Sequence, residues 1–476
     1  MKFKYILFCS ISGLLLIHGY AFSSWDQLGK NPQHTGQTAT KGPIQYKIAW
    51  EFPLGYSGRY SFGAVCDSMS NYYFCGELPT STTRSIISLD KTGNLRWVRV
   101  LLNNTNSFSS PALGIDNQLY ISCIDGSVYS YSQSDGTPFW QFKGAGPFYS
   151  GPTVDKKGNI FVGTRDGQFY SLDSIGKQRW IANGVGQTYS SAVLSNNNNT
   201  VFFEIGYRLY SYSESGSYRW TYIMGSTPIG SPSVDREDNI YIVIAKPSII
   251  SINSAGSLRW EMPLGSRGTY FYSTAAISNT GLIYVAADKL YALDKTSYIK
   301  WMSKQTFNEY EACPVIIDRE ENSFVPMLGG DIFSFSNKGD LLWRYNFGIH
   351  QSMILTNDSG LFISTIQKSL LLIDSGSSIS YTNIAFNQQE RTTENSLKVY
   401  PNPFRDMISV SYSIKSSANK DIKIWDITGR IVFFRKLIES QGEIFWDGNL
   451  DDGNPAPIGC YIIKVGDKIT SIIKMQ

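Results

Sequence analysis

Histidine is almost missing from this chain: 476 residues hold only 3, and charged residues make up just 17% of the total. Cysteine is scarce too, 6 in all, with no Cys-x-x-Cys and no adjacent pair. These shortages exclude whole classes of chemistry. Zinc centres, thioredoxin-type redox pairs and attached haem all need cysteine or histidine at short fixed spacing. No Gly-x-Ser-x-Gly elbow and no phosphate-binding loop occurs. The charges nearly cancel, 42 Lys and Arg against 39 Asp and Glu, which argues against a nucleic-acid surface or a polybasic membrane patch. These patterns yield no catalytic residue, no metal site and no cofactor.

Long apolar runs are lacking as well, apart from one at the start. Lys2 and Lys4, the apolar stretch Ile6 to Ile17, and Gly19-Tyr-Ala21 read as a secretory signal peptide over residues 1–21. The stretch is too short to span a bilayer, and no later segment is longer, so no transmembrane segment is expected. Removing the leader takes Cys9 and leaves Cys66, Cys75, Cys123, Cys313 and Cys460. Cys66 and Cys75 fall on adjacent strands, a poor geometry for a disulfide, so buried free thiols are expected.

What the chain has in plenty is aromatic residues, 14%, together with 42 glycines. Ser150 to Trp180 shows how they are used. Short runs rich in Val, Ile, Phe and Tyr alternate with Lys-Gly-Asn, Asp-Gly and Asp-x-x-Gly turns, the pattern of a four-stranded meander. One such unit leaves an apolar face wet and must stack on copies of itself. The copies end at Trp97, Trp140, Trp180, Trp220, Trp260, Trp301 and Trp343, spaced 40 to 43 residues apart. That period with four strands per unit predicts a β-propeller. A unit at 352–374 lacks the tryptophan, and an orphan strand at Ile48 to Phe52 has one. The expected ring is therefore eight-bladed, closed by the N-terminal strand, with a seven-bladed ring plus a cap as the alternative. The tryptophans are expected to be buried between blades. Asp90, Asp173, Asp294 and Asp374 end strands before turns, where a carboxylate accepts the amide two residues on.

Residues 382–396 read as a polar linker. Residues 397–476 then alternate as short strands, a small antiparallel, immunoglobulin-like β-sandwich. The chain is thus all-β, with the propeller over 22–381.

Three groups of residues carry a family resemblance. Ser24-Trp-Asp-Gln-Leu-Gly-Lys-Asn-Pro-Gln-His-Thr-Gly36 and the strand at Trp50 resemble the opening of PQQ-like (quinoprotein-type) β-propellers. Ser88 to Trp97 and Ala292 to Trp301 resemble that family's tryptophan-docking motif, which implies an indole seated between blades. Val399-Tyr-Pro-Asn-Pro-Phe404, Asp426-Ile-Thr-Gly-Arg-Ile-Val432, Trp446-Asp-Gly448 and Pro457-Ile-Gly-Cys-Tyr-Ile-Ile463 resemble the C-terminal sorting domain of the type IX (Por) secretion system. This resemblance implies a protein handed to the type IX translocon through residues 397–476 and then secreted or held at the outer-membrane surface.

The function expected is a non-catalytic binding or adhesion scaffold for a carbohydrate or protein ligand. The alternatives are a propeller enzyme, whether a polysaccharide-active lyase or hydrolase or a quinoprotein dehydrogenase, and an envelope assembly scaffold. The ligand-binding residues expected are Tyr60, Phe108, Tyr149, Tyr189 and Tyr272. Each stands one residue before the Ser that opens an innermost strand, a phase that faces the mouth of the central channel. His34 and His350, far apart, are expected as ordinary solvated loop residues.

Overall fold

The computed structural model describes residues 25–54, 63–78, 84–101, 110–265, 274–307, 314–327, 329–347, 350–365, 368–374, 396–400, 404–405, 407–413, 421–437, 441–450, 454–466 and 468–475. Among these residues every regular element is a β-strand. Tyr60, Phe108, Tyr272, Cys313, the leader and nearly all of the linker lie outside the described residues, as do the side chains of His350 and Asp374.

One unit explains the rest. Thr153–Val154, Ile160–Gly163, Gln168–Leu172 and Gln178–Asn183 form an antiparallel sheet in chain order. The three inner strands are almost wholly buried, whereas the outermost is mostly exposed or half-buried. This gradient explains the composition: inner strands packed on both faces read as continuous runs such as IFVG, and only the outer strand needs polar residues. Sheets of this kind recur over 64–100, 112–143, 193–223, 233–263, 276–302 and 316–346. The last unit, 350–374, supplies three strands of its own. Its fourth is Tyr46–Pro53, paired antiparallel with Lys368–Asp374 from Tyr46 opposite Asp374 to Pro53 opposite Lys368. The innermost strand of the first unit lies beside that of the last, which joins the two ends of the propeller.

Each unit is pinned to the next by its tryptophan. The Trp50, Trp97, Trp140, Trp180, Trp220 and Trp260 indoles donate from Nε1 to backbone carbonyls in the following unit's outer turn, at 2.9 to 3.0 Å. The ring lies flat on that turn. A Cβ added at Gly176, for example, would fall 2.6 Å from the Trp140 ring. At φ +82°, that glycine also has a backbone that side chains resist. Beside Trp260 the same turn position is Ser297, held at φ 71°. The last unit has no outer turn, since its third and fourth strands come from opposite ends of the propeller, and Pro43 offers its carbonyl to Trp343 instead. Trp301 keeps the ring contact, on Gly339, but its Nε1 has no partner.

Trp97 and Trp50 are buried, whereas Trp140, Trp180, Trp220, Trp260, Trp301 and Trp343 are half-buried. The outer turn leaves one edge of each of these indoles at the rim of the ring. Asp90, Asp173 and Asp294 each accept the amide two residues on, at 2.8 to 3.1 Å, closing those turns.

Two further sheets follow: Ser396–Tyr400, Ile408–Ser413 and Gln441–Trp446, and a four-stranded sheet over 421–474. They share one core around the fully buried Trp446, Ile408, Ile424 and Ile463.

Candidate ligand-binding mouth

The two ends of the innermost strands are built differently. Residues 25–40 lap one end as a strap. Trp25 exchanges backbone hydrogen bonds with Cys66 in the first unit, at 2.9 and 3.0 Å. Asp26 O accepts from Leu113 N, and Gln27 Oε1 from Val154 N at 2.8 Å. Pro32, Gln33, Thr35 and Gly36 carbonyls take the amides of Leu194, Val234, Ile277 and Ile317 in turn. Thr40 Oγ1 reaches Thr356 O in the last unit, at 3.0 Å. The strap therefore touches the innermost strand of every unit but the last, in order, and in the last reaches the residue that follows that strand.

His34 belongs to this strap and is not solvated. It is 1% exposed, with Nδ1 3.0 Å from Pro232 O and Nε2 unpartnered. Burial pushes its pKa down to about 4, so the imidazole is neutral. The expectation of a solvated loop residue failed because nothing in the local sequence shows that the strap is covered.

At the opposite end of those strands are the loops that lead into them. Tyr149 and Tyr189 stand there in consecutive units. Tyr149 is half-buried and Tyr189 is 51% exposed. Their rings meet edge-on, centroids 5.7 Å apart at 77°. Arg165 places its guanidinium 5.6 Å from the centre of the Tyr149 ring. Both tyrosine hydroxyls, Tyr189 foremost, hold that guanidinium firmly protonated. Tyr189 Oη also donates to Gln187 Oε1 at 2.6 Å.

Backbone contacts fix this cluster. Arg165 N donates to Pro147 O at 2.7 Å, and Phe148 bridges Thr164, so the hairpin carrying Arg165 is tied to the loop carrying Tyr149. Gly206 N makes the equivalent bond to Gln187 O at 2.9 Å. The glycines of these loops are spacers for close approach. A Cβ on Gly186 would lie 2.6 Å from Gly206 Cα, and one on Gly146 would lie 2.2 Å from Asp166 Oδ2. Of the five expected aromatics, the structure brings Tyr149 and Tyr189 together. The remaining three lie outside the described residues.

Beneath the Tyr189 loop lies a residue that sequence reasoning missed. Glu204 is 1% exposed, and neither carboxyl oxygen has a hydrogen-bond partner within normal geometry. Its backbone carbonyl accepts from Thr188 Oγ1, and the Ser190 hydroxyl is the polar neighbour that favours its charged form. Burial outweighs that help and pushes the pKa up to about 8, so Glu204 holds its proton at neutral pH. Glu204 pairs with the second residue of the third strand, Leu209. The same register in other units is held by Cys75, Ser122, Gly163, Val243 and Pro326. Alignment of the repeats on strand register would have flagged this lone carboxylate.

Cys66, Cys75 and Cys123 are buried free thiols, and Cys460 is exposed. No described helix is long and apolar enough to cross a membrane.

Residues 124–296 match the family model of the outer membrane protein assembly factor BamB, and residues 398–475 match that of the secretion system C-terminal sorting domain. No curated protein matches the chain. Several solved structures share the fold at low identity. A europium-containing methanol dehydrogenase has TM-score 0.59 and 12% identity, covering 74% of this chain and 98% of its own. The quinohemoprotein alcohol dehydrogenase of Comamonas testosteroni has TM-score 0.61 and 11% identity, covering 75% and 81%. BamB from Moraxella catarrhalis has TM-score 0.54 and 12% identity, covering 70% and 99%.

The described residues do not supply the donor set that a quinone with its bound cation would need. Among the described residues no three His, Cys, Asp or Glu side chains gather as a metal site, and no two cysteines are adjacent in the chain. The sorting domain marks a secreted or cell-surface protein of the type IX system. The chain thus has a β-propeller fold in which residues 124–296 resemble the BamB-type, PQQ-like repeat, and residues 398–475 form a secretion-system C-terminal sorting domain.

Proposed function

We propose that this protein is an exported, non-catalytic binding module whose ligand enters at the Tyr149–Tyr189 mouth. The observation that carries this reading is the asymmetry of the channel. One end gives its inner-strand amides to the strap, while the other presents an exposed tyrosine, a half-buried one and a cation. Flat rings with hydroxyl tips suit sugars or peptide segments. The scaffold beneath is an eight-bladed ring over 22–381, supported by the run of four-stranded sheets and the pairing of Tyr46–Pro53 with Lys368–Asp374. Residues 382–396 link it to an immunoglobulin-like sorting sandwich at 397–476, read by the type IX translocon after loss of residues 1–21.

The test is the double variant Tyr149→Ala with Tyr189→Ala, assayed for retention on immobilised oligosaccharides. Retention is expected to vanish with the melting temperature unchanged, since neither ring sits in a blade core. A large drop in melting temperature would show the rings to be structural and sink the reading. Export is tested separately by deleting residues 397–476, which should leave a folded propeller in the periplasm.

A second reading, an envelope assembly scaffold, is favoured by the assembly-factor match over residues 124–296. Such a role runs through loops around the whole face, and the double variant would leave it largely intact.

A further inference from the structure

The mouth contains one residue that the repeat does not require. Arg165 occupies the position whose amide bonds the loop entering its own unit's innermost strand. In the next two units the residues making that bond are Gly206, to Gln187 O, and Ala245, to Thr227 O. Those units build the same hairpin without a cation there. A role in the scaffold would recur with the period, and this one does not.

The guanidinium is also free to act. Arg165 is exposed, and no carboxylate lies within ion-pair distance of it among the described residues. Its sequence neighbour Asp166 turns its carboxylate towards Gly146. Glu204, deeper in the same wall, is protonated and sets no opposing charge against an anion above it. A planar cation held by Tyr149 and Tyr189 presents a two-pronged donor matched to a carboxylate. The exposed face of Tyr189 and the Gln187 amide beside it offer a stacking surface and polar contacts within one sugar's reach.

A peptide would be recognised differently. It would add to a free strand edge through its backbone. The inner strands at the axis are mostly two residues long, and the amide of the second residue goes to the strap in unit after unit. The axis therefore offers little edge to extend.

We propose that Arg165, Tyr149 and Tyr189 form a subsite for a carboxylate-bearing saccharide, a sugar of the uronate type, with the guanidinium on the carboxylate and the Tyr189 ring under the pyranose. This rests on the mouth being the ligand site.

The experiment titrates the full mature chain with three probes: an oligogalacturonate, the same oligomer methyl-esterified, and polyglutamate. Oligogalacturonate should bind, and the ester should bind about tenfold more weakly or worse, the loss of a charged hydrogen bond. Arg165→Gln should weaken oligogalacturonate by about the same factor and leave the ester unaffected, and Arg165→Lys should fall between. Melting of both variants should match the parent, because the side chain is exposed. An ester that binds as tightly as the acid overturns the carboxylate assignment but leaves saccharide binding standing. Polyglutamate binding as tightly as oligogalacturonate overturns the saccharide. If neither sugar binds and Tyr149→Ala with Tyr189→Ala changes nothing, the mouth itself is refuted, and this inference with it.

Discussion

At the strap end of the ring the units behave alike: inner strand after inner strand finds a partner in residues 25–40. At the mouth end they differ, with Arg165 in one unit, Gly206 in the next and Ala245 in the third. The contrast separates two kinds of residue in a repeat protein. Features that recur with the period hold the ring together, as the tryptophans and turn glycines do. Features that break the period are not needed by the fold and become candidates for function. Glu204 and Arg165 are of the second kind.

The sharpest way to test the contrast is to remove the strap. Each buried amide left without a partner costs about 1–3 kcal/mol, against a total domain stability of about 5–15 kcal/mol. A chain lacking residues 25–40 is therefore expected to lose its cooperative thermal transition by circular dichroism. A native-like melt would show that the strap merely covers the channel.

Next in size is Trp180→Ala. The half-buried indole bonds Glu214 O at 2.9 Å and lies on Gly216, so the loss should be about 3 kcal/mol, read by urea denaturation. Tyr189→Ala, a ring of similar size at the mouth, should cost less than about 0.5 kcal/mol. Equal losses would erase the distinction between a residue that pins the units together and one at the mouth.

The two ends should also respond oppositely to pH. Glu204 is raised from 4.5 to about 8, so the folded state holds an extra proton between those values and stability falls as pH rises through them. His34 is lowered from 6.5 to about 4, so stability falls as pH drops through that window. The slopes oppose each other between 4.5 and 6.5, and only the Glu204 decline remains from 6.5 to 8. Glu204→Gln should flatten the fall in melting temperature between pH 6.5 and 8, measured by scanning calorimetry. An unchanged fall would assign it to other groups.

The smallest effect is a gain. Ser297 sits at φ 71° where sister turns have glycine. Ser297→Gly should relieve the strain and add about 1 kcal/mol, visible as a higher denaturation midpoint. A loss would mean that the Ser297 side chain earns its place against Trp260.

Much of the architecture was legible in the chain because it is periodic. A tryptophan every 40 to 43 residues and an Asp-x-x-Gly turn before it state the unit, and Trp50 without a preceding unit states how the last one is completed. The turn aspartates were readable for the same reason: Asp90, Asp173 and Asp294 bond amides only two residues away. Tyr149 and Tyr189 were placed by phase alone. What the sequence could not state is any contact set by closure of the ring. The strap joins Gln27 to Val154 and Thr40 to Thr356, pairs separated by 127 and 316 positions, and no local pattern encodes their meeting. The burial that neutralises His34 and keeps the proton on Glu204 exists only in the folded chain, and Arg165 stands out only because its hairpin is tied to the loop of Tyr149. Periodicity is written in the chain because each unit repeats the same local solution. The channel's two ends are decided in three dimensions, because they exist only once the ring has closed.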